Sequence, residues 1–172
     1  LGVKVFKRTK ALERLLNSAK QLDISTVYVA DDGDTSDRTD IYDRSWPFDI
    51  QLIDLEFDAG VGAGRAAIVD ELEEPYLMMA DPDIYLASSI ESLVEILEKD
   101  ESLGGVAPML LEAGRPKAFC HNFSESRSNH VLRRGVWEEP TVETISDKFL
   151  IRWDFIPNTA VYRRAALSDY HW

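Results

Sequence analysis

The feature that most constrains this chain is a rhythm. Short apolar, β-rich runs at Leu1–Phe6, Ile24–Ala30, Ile50–Leu55 and Pro75–Ala80 are separated by longer stretches, most of them with helical spacing. Pro75–Ala80 (PYLMMA) is continuous and apolar, as strands covered on both faces are. Strands alternating with helices imply right-handed crossovers and a parallel sheet.

The first helix is expected to start at Thr9 as its cap and to bury Leu12, Leu15, Leu16, Ala19 and Leu22. The second, within Gly60–Glu73, places Ala66, Ala67, Ile68, Val69 and Leu72 inside. Ser88 and Glu91 have capping-box spacing ahead of a third, whose buried face is Ile90, Leu93, Val94 and Leu97. Gly104–Pro108 reads as a further strand. Beyond Leu111 the rhythm changes, because Lys117–Phe123, Asn129–Val136 and Lys148–Trp153 read as strands with no long helix between them. The expected fold class is therefore α/β. It has a mostly parallel central sheet, helices on both faces and added antiparallel strands in the C-terminal third. No linker or repeat divides residues 1–172, which are expected to form one domain.

Ligands of open α/β sheets bind outside the carboxyl ends of the strands. Three clusters fall at such ends: Asp31–Asp37, Gly60–Arg65 and Asp81–Asp83. Each alone is ordinary turn chemistry, but their shared edge points to a site. Asp81 and Asp83, one residue apart after a buried strand, suit a hard cation completed by substrate phosphates. The bland alternative is an acidic turn that starts the next helix. Asp31-Asp32-Gly33-Asp34-Thr35-Ser36-Asp37 has oxygens at calcium-loop spacing counted from Asp32, but Asp37 stands where an EF-hand needs Gly. A carboxylate at this strand end suits a nucleobase N–H better, with a solvated turn as the alternative. Gly60-Val61-Gly62-Ala63-Gly64-Arg65 has G-x-G-x-G spacing after the third strand, so it is no dinucleotide fingerprint. A helix N-terminus with Arg65 can still approach a phosphate, unless the glycines serve only tight packing.

Composition narrows the partners. With 31 Asp+Glu against 19 Lys+Arg the net charge is -12, which disfavours nucleic acid and polybasic attachment to anionic lipid. Only 7 Lys against 17 Asp would also suit a salty cytoplasm. No apolar run is long enough to span a membrane. A single cysteine, Cys120, excludes an internal disulfide, and Cys120-His121 has no partner at zinc-ligand spacing. His130 has no identifiable partner, His171 lies at the chain end, and Trp153 and Phe155 read as core. The start at Leu1 and the stop at Trp172 suggest a fragment.

In order, VKVFKRT, VYVADDGDTSD, DAGVGAGRAA and PYLMMADPDIYL, followed by DFIPNTAVYRRAAL, resemble the family 2 glycosyltransferases, nucleotide-diphospho-sugar enzymes of GT-A fold. The segments are most similar to the branch with the animal β1,4-N-acetylgalactosaminyltransferases. The resemblance implies a donor half over residues 1–111 and an acceptor-side part over 112–172. It implies that Phe6 and Arg8 line the nucleotide side, that Asp31 and Asp32 meet uracil and ribose, and that Gly62 and Arg65 face the diphosphate. Asp81-Pro82-Asp83 would be the family's D-x-D. There Asp83 is the direct ligand of a divalent cation, Mn²⁺ or Mg²⁺, and Asp81 lies nearer the ribose and the metal's waters. Val5, Lys7 and Pro82 depart from the commoner Thr, Asn and Asp.

The implied reaction is inverting transfer from a UDP-sugar to a hydroxyl of a glycan, lipid-linked or protein acceptor, in the cytoplasm or peripheral to the membrane. The family's catalytic base is expected beyond Trp172, with Asp154 the nearest acid on the acceptor side. Two other readings compete. A nucleotidyltransferase would want a glycine-rich loop where this chain has Phe6-Lys7-Arg8-Thr9, and a binding module would lack turnover.

Overall fold

The computed structural model describes residues 1–87, 90–117, 123–126, 131–134, 142–145 and 147–168. Its elements in chain order are β1 (Gly2–Val5), α1 (Thr9–Ala19), β2 (Thr26–Asp31), a 3-10 turn (Thr35–Arg38), α2 (Thr39–Tyr42) and β3 (Asp49–Asp54). There follow α3 (Val61–Glu71), β4 (Tyr76–Ala80), α4 (Glu91–Lys99), β5 (Gly105–Val106), β6 (Leu110–Glu112) and β7 (Arg115–Lys117). The last are β8 (Phe123–Ser126), β9 (Val131–Arg134), β10 (Val142–Ile145), β11 (Lys148–Ile151), β12 (Ala160–Arg163) and α5 (Arg164–Leu167).

Six strands form the central sheet in the order β3-β2-β1-β4-β12-β5. β1 runs parallel to β2 and β4, and β2 parallel to β3. β12 joins antiparallel between β4 and β5. This is the expected α/β class, a mostly parallel sheet with antiparallel additions late in the chain. Strand alternation sorts the side chains into two layers. Val3, Val5, Val27, Val29, Met78 and Val161 pack with Leu12, Leu15 and Leu16 of α1 and Ile96 and Leu97 of α4. On the other face Tyr28, Ala30, Leu77 and Met79 pack with Ile68 and Leu72 and with Leu167 of α5. Each buried Leu or Val contributes about 1.5 to 3 kcal/mol, so these layers hold the sheet.

Three readings need correction. Thr9 is the first residue of α1 and Arg8 the cap, with no side-chain cap bond; the Thr9 hydroxyl instead accepts from Arg38 Nη1 at 3.2 Å. α4 begins at Glu91 with Ile90 at the cap position, later than a capping box opened by Ser88 would start it; Ser88 lies outside the described residues, and so does any contact between it and Glu91. Of the expected strand Lys117–Phe123 only the two ends are described, Lys117 in β7 and Phe123 in β8, and residues 118–122 lie outside the described residues. Ala160–Arg163, expected only as an acceptor-side segment, is a strand of the main sheet.

The other late strands pair locally, β6 with β7, β8 with β9 and β10 with β11. Ala113 and Gly114 join the first pair with φ of +50° and +75°, the doubly left-handed turn that suits a two-residue hairpin loop. Cys120, His121, His130 and His171 lie outside the described residues.

Candidate functional site

The strand order reverses across β1, with β2 on one side and β4 on the other. This is a topological switch point, where ligands of open sheets settle. Phe6–Arg8 follows β1 there and Asp81–Asp83 follows β4. The loop after β2 and the β3–α3 loop lie on the same edge.

Register decides where the first acidic pair points. Asp31 is the last sheet residue of β2, opposite Val5 on one side and Asp54 on the other. It therefore shares the layer of Val27 and Val29, facing α1. It is fully buried. Its Oδ1 accepts from the Gly33 amide at 2.9 Å and Arg38 Nη2 at 2.7 Å, and its Oδ2 from Arg38 Nε at 2.7 Å and the Tyr42 hydroxyl at 2.5 Å. The carboxylate expected to meet a base thus meets Arg38 and Tyr42. Burial, then the bond to Asp31, pushes the Tyr42 phenol well above its ordinary range.

Asp32 points to the opposite layer and is equally buried. Its Oδ2 accepts from the Gly60 amide at 2.9 Å, and Lys4 Nζ lies 2.7 Å from Oδ1 without hydrogen-bond alignment. Its backbone accepts from Asp58 at 2.8 Å, so this residue ties the β3–α3 loop to the sheet. Gly33 is required by contact: a Cβ there would lie 2.0 Å from the Phe6 carbonyl oxygen. Asp34 caps the 3-10 turn through the Ser36 amide and hydroxyl, bonds that hold its carboxyl below the usual range.

Asp81 and Asp83 lie beyond the end of β4, and buried Pro82 between them anchors the turn. Both carboxylates are half exposed, and each lies beside an arginine. Arg65 Nη2 reaches Asp81 Oδ1 at 3.1 Å, and Arg8 Nη1 reaches Asp83 Oδ2 at 2.5 Å. Arg65 is itself nearly buried, and its guanidinium also lies 3.2 Å from the amide oxygen of Asn158 when that amide is oriented to accept. Arg14 Nη2 donates to the Asp83 carbonyl at 3.1 Å, and the Ser18 hydroxyl accepts from the Leu86 amide at 3.0 Å. The loop is stapled to α1 through its backbone, which leaves the carboxylates free to choose partners.

The aromatic at the mouth was not evident from the sequence. Phe57, two-thirds exposed, packs edge-on against half-buried Phe6 with ring centroids 5.2 Å apart. Lys7 Nζ lies 4.7 Å from the Phe6 ring and 5.7 Å from that of Phe57. Gly62 sits half-buried in the first turn of α3 behind them. Asp154, the acid nearest the acceptor side, is exposed. Among the described residues, no group of three or more His, Cys, Asp or Glu side chains is placed to hold a metal. A closed protein cage is therefore not what the donor set offers there. Two half-exposed carboxylates fit a cation that keeps waters and substrate phosphates in its shell.

Residues 1–170 match the profile described as Glycosyl transferase family 2. The chain belongs to that family. Solved structures of S. aureus TarS 1-349 share its fold: one is 16% identical with a TM-score of 0.60, covering 98% of this chain and 47% of that one. The same fragment in complex with UDP-GlcNAc is 17% identical, TM-score 0.60, with 98% and 46% covered. In complex with UDP it is 18% identical, TM-score 0.59, with 97% and 47% covered. The chain spans just under half the length of these TarS fragments. Comparison with curated protein sequences gives no match. Among the described residues no helix is long and apolar enough to cross a membrane.

Proposed function

We propose that this chain forms the donor-binding part of a metal-dependent, inverting glycosyltransferase that uses a UDP-sugar. The observation that carries the reading is the pair Asp81 and Asp83 at the switch point of a family 2 fold, half exposed, with Arg8 and Arg65 beside them. UDP-GlcNAc in the similar TarS fragment supports a nucleotide-sugar donor and favours an N-acetylhexosaminyl group.

Asp83, with Asp81 beside it, would hold a divalent cation, Mn²⁺ or Mg²⁺, which when bound neutralises the leaving nucleoside diphosphate. Arg8 would meet diphosphate oxygens from the β1 side. Arg65 orients Asp81. Phe6, Phe57 and Lys7 form the wall nearest the expected base, and Gly62 leaves the opening of α3 without a side chain. Asp31 and Asp32 act in this reading by shaping the edge from beneath. Residues 1–111 supply the donor half and 112–172 the acceptor-side part of one domain. A base that deprotonates the acceptor hydroxyl is assigned to none of the described residues.

The test is a thermal-shift panel of nucleotides and nucleotide sugars with Mn²⁺, Mg²⁺ or EDTA, followed by an assay for UDP release. A donor at about a hundred times its dissociation constant should stabilise the fold by about 2.7 kcal/mol. Metal-dependent stabilisation by UDP-sugars with slow UDP release supports the transferase. Binding without any turnover would favour a binding module, and no nucleotide response would defeat both.

A further inference from the structure

The two arginine–aspartate pairs of the Asp81–Asp83 loop are built differently. At Asp81 the partner is fixed: the Arg65 side chain is 11% exposed and Asn158 lies beside it. At Asp83 both partners are open, with Arg8 63% and Asp83 50% exposed. Exposed ion pairs are weak, so this contact can be exchanged at little cost. Nothing else need move, because Arg14 and the α1 staples hold the loop by its backbone while the Asp83 carboxylate rotates.

From this asymmetry we infer that Arg8 is a tethered stand-in for the cation on Asp83, and that the donor's diphosphate lifts it off. Before loading, the guanidinium pairs with Asp83 Oδ2, on the carboxylate that would hold a metal. A diphosphate arriving at the edge offers Arg8 a stronger, charge-assisted partner. Arg8 then changes from a competitor of the cation to a ligand of the nucleotide, and Asp83 becomes available. Metal and nucleotide bind cooperatively as a result, and the coupling is reciprocal. In the unloaded site the Arg8 pairing also keeps the Asp83 carboxylate neutralised in a protein of net charge -12.

This inference rests on Asp83 being a cation ligand, and the experiment separates the two claims. Mn²⁺ is titrated calorimetrically into the wild-type protein, Arg8→Gln, Arg8→Lys and Asp83→Asn, without nucleotide and with saturating UDP. Arg8→Gln is expected to bind Mn²⁺ alone about three- to tenfold more tightly than wild type, since a positive charge beside the site is gone. It should also lose most of the tightening that UDP produces in the wild type. Arg8→Lys keeps the charge and should stay within about twofold of wild type for Mn²⁺ alone. It serves as the second probe should Arg8→Gln unfold, and tightening in Arg8→Lys would overturn the inference. Unchanged or weaker Mn²⁺ binding in a folded Arg8→Gln, with Asp83→Asn losing it, overturns the stand-in role alone. Unchanged Mn²⁺ binding in Asp83→Asn overturns the cation site beneath it.

Discussion

The end of β2 and the loop after β4 carry paired aspartates on the same edge of the sheet, in opposite surroundings. Asp31 and Asp32 are fully buried, and each is bound to a cation of its own layer, Arg38 or Lys4. Asp81 and Asp83 stand half exposed with one arginine each. The difference comes from where the strand stops. Asp31 still has sheet neighbours on both sides, so alternation drives it inward, whereas β4 ends at Ala80 before its aspartates begin. Here the pair that includes the last strand residue is buried against its own cations, and the pair beyond the strand end stays half exposed.

The contrast can be broken most strongly at Asp31. Asp31→Ala leaves Arg38 buried without its counter-charge and is expected to cost about 3 to 5 kcal/mol in urea unfolding. A loss below about 1 kcal/mol would mean that the pair is not the scaffold. Gly33→Ala pushes a methyl into the Phe6 carbonyl and should cost about 1 to 3 kcal/mol by the same measurement. Tyr42→Phe removes one bond to Asp31 and should cost about 1.5 kcal/mol at neutral pH.

Tyr42 also predicts a pH effect. Its folded phenol titrates above its unfolded value of about 10, so its contribution is complete below that pH and is lost as pH rises beyond it. The wild type should therefore lose stability on going above about pH 10, and Tyr42→Phe should lose less over the same range. An identical decline in both would exclude Tyr42 as a source. The smallest stability effect belongs to Asp83→Asn, which should stay within about 1 kcal/mol of wild type by thermal unfolding.

Much of this was legible in the sequence. The apolar runs and helical spacing give the sheet and its two layers, because burial on both faces leaves little choice of register. The place of Asp81 and Asp83 just past the sheet was legible because a buried strand ends visibly before them. The role of Asp31 was not, because it depends on Arg38, seven residues on in a polar stretch with no periodicity to announce it. β12 was hidden for a related reason. Its partners β4 and β5 lie far back in the chain, so no turn signal marks the pairing. Phe57 looked like one loop residue among many until the fold set it against Phe6.

In the proposed function the loop after β4, and not the end of β2, works with a metal. Calorimetry of UDP binding to wild type and Asp83→Asn, in EDTA and in saturating Mn²⁺, tests it most directly. We expect Mn²⁺ to tighten UDP binding to the wild type at least about tenfold, a gain of about 1.4 kcal/mol, and to do almost nothing for an Asp83→Asn protein that unfolds at the same temperature. The full Mn²⁺ gain in Asp83→Asn would contradict it.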